Sequence, residues 1–274
     1  MKQKILILLL CSFISSATMS VGVQAADACE ILDVSVEEQN STEAFSQNDW
    51  EVRLSDEEIL ERYNLFLQRK SSMLSEEKTD AQSLLEEFAD YAVDNKIIED
   101  TPEARAAITK AVVRAEFKVV VTAGNVLGYT MSATLLEHSL QDNPGILSYG
   151  ASTDFANNIG ASNECLSIIN SFKQAVNGTN KTSYSMNGTI TLNSTTDLHL
   201  AFINVNYSAM GTKLNGVWSV YITFTDTYDF DYVAWKNEMT DNDAVTVLNN
   251  YAAYAQSIGA IVPYTIHVTV RKTF

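Results

Sequence analysis

The stretch Ile222 to Lys236, ITFTDTYDFDYVAWK, passes from strand-like alternation into a knot of three aspartates and two tyrosines. Asp226, Tyr228 and Asp229 are the residues whose types and spacing suit chemistry. One carboxylate can take a proton while a protonated neighbour gives one, and two carboxylates can share a divalent metal ion. Paired carboxylates in a partly enclosed cluster separate their pKa values, which suits acid–base work. No cofactor is implied, and a divalent metal has a place only if the cluster is hydrolytic, a reading that stands with or without one. The structural alternative is simpler: aspartates end strands by bonding their own backbone.

Asp226-Thr-Tyr-Asp229 resembles the Asp-x-Tyr-Asp motif of the colicin M-like toxins, secreted bacterial proteins that cleave the lipid-linked peptidoglycan precursor. The surroundings are similar in order, with a hairpin before the motif, a short helix after it and a closing strand. The resemblance covers about residues 187–271 and implies a toxin-like C-terminal module. The family follows its motif with a His-Arg pair, and Trp235-Lys236 stands in that place here. The resemblance therefore implies the fold without one of the family's chemical groups.

Two other histidines, His199 and His267, fall on the polar faces of expected strands. An imidazole from a neighbouring strand could reach Asp229, and otherwise these rings are solvated. His138, beside Glu137 near a helix end, fits the negative pole of the helix dipole. Cys165 lies on an apolar helix face with no base close in sequence, which raises a thiol's pKa. Gly-rich phosphate loops, a Gly-x-Ser-x-Gly elbow and a His-Glu-x-x-His pair are all missing from the sequence.

The elements that must position these residues are legible from spacing. Ser55-Asp-Glu-Glu58 is a capping box before Ile59, Leu60, Tyr63, Phe66 and Leu67 at helical intervals. A second box, Thr79 to Gln82, opens a helix with Leu84, Leu85, Phe88, Tyr91 and Ala92 inward. Thr101-Pro102 starts a third, whose Lys110, Arg114 and Lys118 share one face. That stripe reads as a solvated or acid-paired face, with contact to anionic lipid as the minor alternative. Val119 to Leu136 lacks any charge and reads as two buried helices joined at Gly124–Gly128. Ser162 to Val176 predicts a helix with Cys165, Ile168, Ile169, Phe172 and Val176 inward. Asn177 to Ser185 is a polar linker, after which the period becomes two.

Met186 to Leu192 predicts a short strand, and Leu198, Leu200 and Phe202 alternate as a second. Asn215-Gly216 predicts a tight hairpin turn. The return strand places Trp218, Val220, Ile222 and Phe224 inside and Ser219, Tyr221, Thr223 and Thr225 outside. Thr240 to Asp243 caps a helix with Val247, Leu248, Tyr251 and Tyr254 inward, stopped by Gly259. Pro263 leads into a strand from Tyr264 to Val270. The fold class expected is α+β: a helical N-terminal region followed by a small antiparallel sheet with one packed helix.

The chain has 274 residues and a net charge of −16. Acids crowd the first half, while from Leu166 onward acids and bases nearly balance. A phosphate backbone is repelled by such a chain, which excludes nucleic acid as a partner. Lys2 and Lys4, the apolar run from Ile5 and the small residues around Val23 to Ala25 predict a signal peptide over residues 1–25. Residues 26–54 are expected as a flexible leader, 55–176 as a helical domain and 186–274 as the sheet-plus-helix module. The signal and the Asn/Lys/Ile-rich usage point to a secreted, extracellular bacterial protein. After cleavage two cysteines remain, Cys29 and Cys165, and they form either a disulfide or two buried thiols. The reading that follows is a non-catalytic interaction module for a protein or cell-envelope partner. A bacteriocin-like toxin or a carboxylate-dependent hydrolase using Asp226, Tyr228 and Asp229 is the alternative.

Overall fold

The reciprocal pairing of Ser55 with Glu58 starts the first helix. Ser55 N–H donates to the Glu58 carboxylate at 2.7 Å, and Glu58 N–H donates to Ser55 Oγ at 3.3 Å. The computed structural model describes residues 55–73, 81–232 and 243–274. Outside them lie the expected signal peptide and leader, Cys29, Thr79, Trp235-Lys236 and the Thr240 cap. Compactness divides the chain between Ala115 and Glu116, inside the third helix.

In the first unit, helix α1 (Asp56–Met73) buries Ile59 and Tyr63, and α2 (Ala81–Asp94) buries Leu85, Phe88, Ala89 and Ala92. Tyr63 meets Phe88 edge-on, with ring centroids 5.2 Å apart. Helix α3 (Pro102–Val126) is capped by Thr101 Oγ1, which accepts from Ala104 N–H at 3.2 Å. Arg105 bridges Asp90 and Asp100 at 2.5 and 2.8 Å. These pairs are open to solvent and contribute little.

One expectation is corrected here. α3 runs through Gly124 to Val126, where the sequence predicted a break, and α4 (Thr130–Ser139) follows. A glycine within a helix costs about 1 kcal/mol relative to alanine without stopping it. The stop is Gly128, at φ +84°, a conformation that glycine adopts without penalty. No described helix is long and apolar enough to cross a membrane.

In the second unit, five strands form one mixed sheet in the order β1-β5-β4-β3-β2. They are β1 (Leu147–Tyr149), β2 (Ser183–Thr191), β3 (Asn204–Leu214), β4 (Val217–Tyr228) and β5 (Tyr264–Thr273). β1 pairs parallel to β5, and the other pairings are antiparallel. The β3–β4 turn is Asn215-Gly216, both at positive φ, as the primed two-residue turn requires.

The inner face of the sheet buries Val205, Ala209, Trp218, Val220, Ile222, Phe224, Ile266, Val268 and Val270. Helices α5 (Asp154–Ala161) and α6 (Asn163–Val176) pack on it, so more than one helix covers this face. Phe172 of α6 seats directly over Gly211, where an added Cβ would stand 2.7 Å from the ring. Cys165, Ile168, Ile169, Phe172 and Val176 are the buried residues of α6, as its spacing predicted. β1 and α5 were not foreseen.

A second correction concerns residues 198–202. The expected strand is a short helix, α7 (Thr196–Ala201), with Thr195 Oγ1 accepting from Leu198 N–H at 3.1 Å. Its Asp197 caps α4 from a distance in sequence, accepting from Met131 and Ser132 N–H at 3.0 and 2.9 Å. Five alternating residues cannot separate a strand from one and a half helical turns, and the N-terminal cap decided the outcome. α8 (Asp243–Ser257) buries Tyr251 and ends before Gly259, at φ +71°.

Candidate functional site

Alternation along β4 sends Phe224, Asp226 and Tyr228 to the inner face and Thr225 and Thr227 to the outer one. Asp226 stands opposite Ile266 of β5, and Tyr228 opposite Tyr264. The Asp226 carboxylate accepts from Thr227 N–H at 2.9 Å, the local bond of an aspartate ending a strand. Tyr228 is buried against Phe230 and Tyr264, with centroids at 5.2 and 5.4 Å. Asp229 and Asp231 follow the strand and are exposed. Two bonds from α8 hold this segment: Gln256 accepts from Phe230 N–H at 3.0 Å, and Asn249 donates to the Asp231 carbonyl at 2.7 Å.

Desolvation pushes Asp226 up to about 6, the Asp229 charge adds to the rise, and the bond from Thr227 opposes it. Asp229 is also raised, first by partial burial and then by Asp231. Burial raises the Tyr228 phenol well above its ordinary range. The carboxylates of Asp226 and Asp229 therefore feel each other, while the phenol stays protonated.

No histidine joins them from the neighbouring strand. His267 is opposite Thr225, on the outer face, and its ring bonds the Thr225 hydroxyl at 3.0 Å. His199 is not on a strand at all but in the last turn of α7. His138 lies in the last turn of α4, as expected, and bonds the Gly145 carbonyl at 2.9 Å. Cys165 is buried and its thiol is pushed up to about 11 by desolvation. Among the described residues no group of three or more His, Cys, Asp or Glu could hold a metal ion. A surface depression of about 360 Å³ lined by Glu57, Leu60, Glu61, Asn64 and Leu65 belongs to α1 and includes none of these groups.

One ionisable residue escaped the sequence reading. Glu116 of α3 carries a carboxyl enclosed against Tyr251, whose hydroxyl donates to it. Burial raises it to about 7, and the tyrosine bond draws it down. The residue as a whole is half-buried. Its place one turn after the buried Val112 and Val113, beside buried Phe117, was the available signal.

The outer face of the sheet is rich in hydroxyls and amides. Its cross-strand rows read Thr189–Asn206–Thr225–His267, Asn187–Ser208–Thr223–Thr269, Ser185–Met210–Tyr221–Arg271 and Ser183–Thr212–Ser219–Thr273. No carboxylate occurs in these rows, and Arg271 lies over the Tyr221 ring at 5.7 Å. Met210 and Tyr221 are 63% and 46% exposed and form a small apolar island among hydroxyls and amides. Thr189 donates to Asn206 at 2.8 Å, which orders part of the array. Comparison with protein-family models, with curated proteins and with solved structures finds no match to this chain.

Proposed function

We propose that the chain is an exported bacterial protein acting as a non-catalytic binding module through the outer face of its sheet. The contrast that carries this reading is an acid-free face on a chain of net charge −16. That face carries one cation, Arg271, and no acid, so its hydroxyls and amides meet matching donors and acceptors with little charge to desolvate. Tyr221 and Met210 add the apolar contact that a sugar ring's face needs, so the partner class is a cell-envelope glycan. The aspartate knot reads as the polar end of β4: Asp226 bonds its own backbone and Asp229 faces solvent.

Co-sedimentation with purified peptidoglycan sacculi tests the reading. The parent pellets with the sacculi. Asn206→Asp combined with Tyr221→Ala, which keeps an acceptor for Thr189, releases it to the supernatant. Asp229→Asn changes nothing. Equal pelleting of the face variant and the parent would sink the proposal. Export is checked separately by N-terminal sequencing of secreted protein, which should begin at or near Ala26.

The raised pKa of Asp226 beside Asp229 favours a second reading, the carboxylate-dependent, bacteriocin-like hydrolase. Under it, Asp229→Asn lowers growth inhibition or release of lipid-linked precursor products by about 10²–10⁴ while the fold persists.

A further inference from the structure

The two edges of the sheet are unlike. β1 is three residues long, too short to template a partner, whereas β2 presents nine. β2 contains no charged residue and no proline, and its register with β3 is unbroken by a bulge. Those are the devices that normally guard an edge against pairing. Lys213 N–H donates to the Thr182 carbonyl, and Leu192 N–H to the Ile203 carbonyl. Alternation therefore turns the even-numbered backbone groups of β2 toward β3. The N–H and C=O groups of Ser183, Ser185, Asn187, Thr189 and Thr191 face outward.

The geometry points to a homodimer in which β2 of one copy pairs antiparallel with β2 of a second about a two-fold axis at Asn187. In that register all five outward residues form narrow pairs: Asn187 with itself, Ser185 with Thr189, and Ser183 with Thr191. Each pair makes two backbone hydrogen bonds. On the inner face Tyr184 comes beside Ile190, and Met186 beside Gly188, so each large side chain meets a smaller one. These inner residues are half-exposed in the single chain, apart from the exposed Gly188.

Charge complementarity selects a second copy as the occupant. Lys181 sits at the start of β2, its ammonium 4.6 Å over the Tyr184 ring. Past the other end, the Glu164 carboxylate accepts from Asn193 N–H at 3.1 Å. The two-fold axis lays the start of one strand against the end of the other, so Lys181 of each copy meets Glu164 of its mate. The strand itself brings no charge to the axis, so the chain's excess of acid does not oppose the contact. The outer faces of the two copies become one surface of twice the width, although this inference stands independently of what that surface binds.

Sedimentation velocity on the full secreted chain tests the inference, with circular dichroism to confirm folding. The parent sediments at twice the monomer mass in the micromolar range. Asn187→Lys sets two ammonium groups across the axis and raises the dissociation constant by about a hundredfold, the equivalent of a like-charge juxtaposition. Thr189→Pro removes an outward N–H without touching the β2–β3 ladder, and it also yields monomer. Mixing Asn187→Lys with Asn187→Asp restores a dimer of one copy each. A parent monomeric at about 100 µM, or a dimer indifferent to both single variants, overturns the inference.

Discussion

Replacing Asp226 by Asn should stabilise the protein at neutral pH and leave it unchanged in acid. The inner-face carboxyl binds its proton more tightly in the folded chain than in the unfolded one, because burial penalises its charge. Its favourable contribution is complete below the unfolded pKa near 3.8 and is lost as pH rises through about 6. At 1.36 kcal/mol per pH unit, that rise corresponds to about 3 kcal/mol for a fully enclosed group. Asp226 is only half-buried, and solvent screening reduces the figure to roughly 1–2 kcal/mol. Asparagine has the shape of the protonated acid and still accepts from Thr227 N–H. Urea unfolding of parent and Asp226→Asn from pH 4 to 8, followed by tryptophan fluorescence, measures the difference, since Trp218 is buried on the same strand. The two curves should coincide near pH 4 and diverge to roughly 1–2 kcal/mol by pH 7. A variant less stable than the parent at pH 7, or a difference independent of pH, would refute the reasoning. Taking the difference between the proteins cancels titration of Glu116, while Asp229, whose charge adds to the rise at Asp226, contributes to the divergence.

Three further outcomes are expected. Glu116→Gln keeps an acceptor for Tyr251 and removes stability loss between the unfolded carboxyl pKa of 4.5 and about 7, read by urea unfolding against pH, while Tyr251→Phe raises the Glu116 pKa further, read by carbon-13 titration of that carboxyl. Asp197→Ala, which uncaps α4, should cost about 1–2 kcal/mol, seen as early hydrogen exchange at Met131 and Ser132, with Asp197→Asn recovering part of the loss. Gly211→Ala forces Phe172 and Val220 apart and should cost about 1–3 kcal/mol, measured as a lower midpoint in denaturant.

The pattern of hydrophobic residues carried the α+β class, the inner and outer faces of β4 and β5, the buried side of α6 and the Asn-Gly turn. Each is a local signal repeated over several residues. β1 was lost because three residues have no period, and it exists only because β5 offers a parallel edge. α7 was misread because Leu198, Leu200 and Phe202 alternate as in a strand, whereas Leu198 and Ala201 are the buried pair of a short helix whose Thr195 cap outweighed the alternation. The aspartate knot was visible as residue types, but its division was not. That Asp226 faces inward, away from His267, follows from the β4–β5 register, which sequence spacing does not specify. Glu116 became interesting only once α8 brought Tyr251 to it.

The strand order has a consequence for how the molecule is made. β5 follows β2, β3, β4 and α8 in the chain, yet it lies between β4 and β1 in the sheet. Until β5 leaves the ribosome, Trp218, Val220, Ile222 and Phe224 have a free edge beside them and β1 has nothing to pair with. The sheet therefore closes only after translation has passed Tyr264, and its pairings between distant residues are slow to form. A chain in that state remains threadable, so under the proposed export a translocase would meet no finished sheet to unfold.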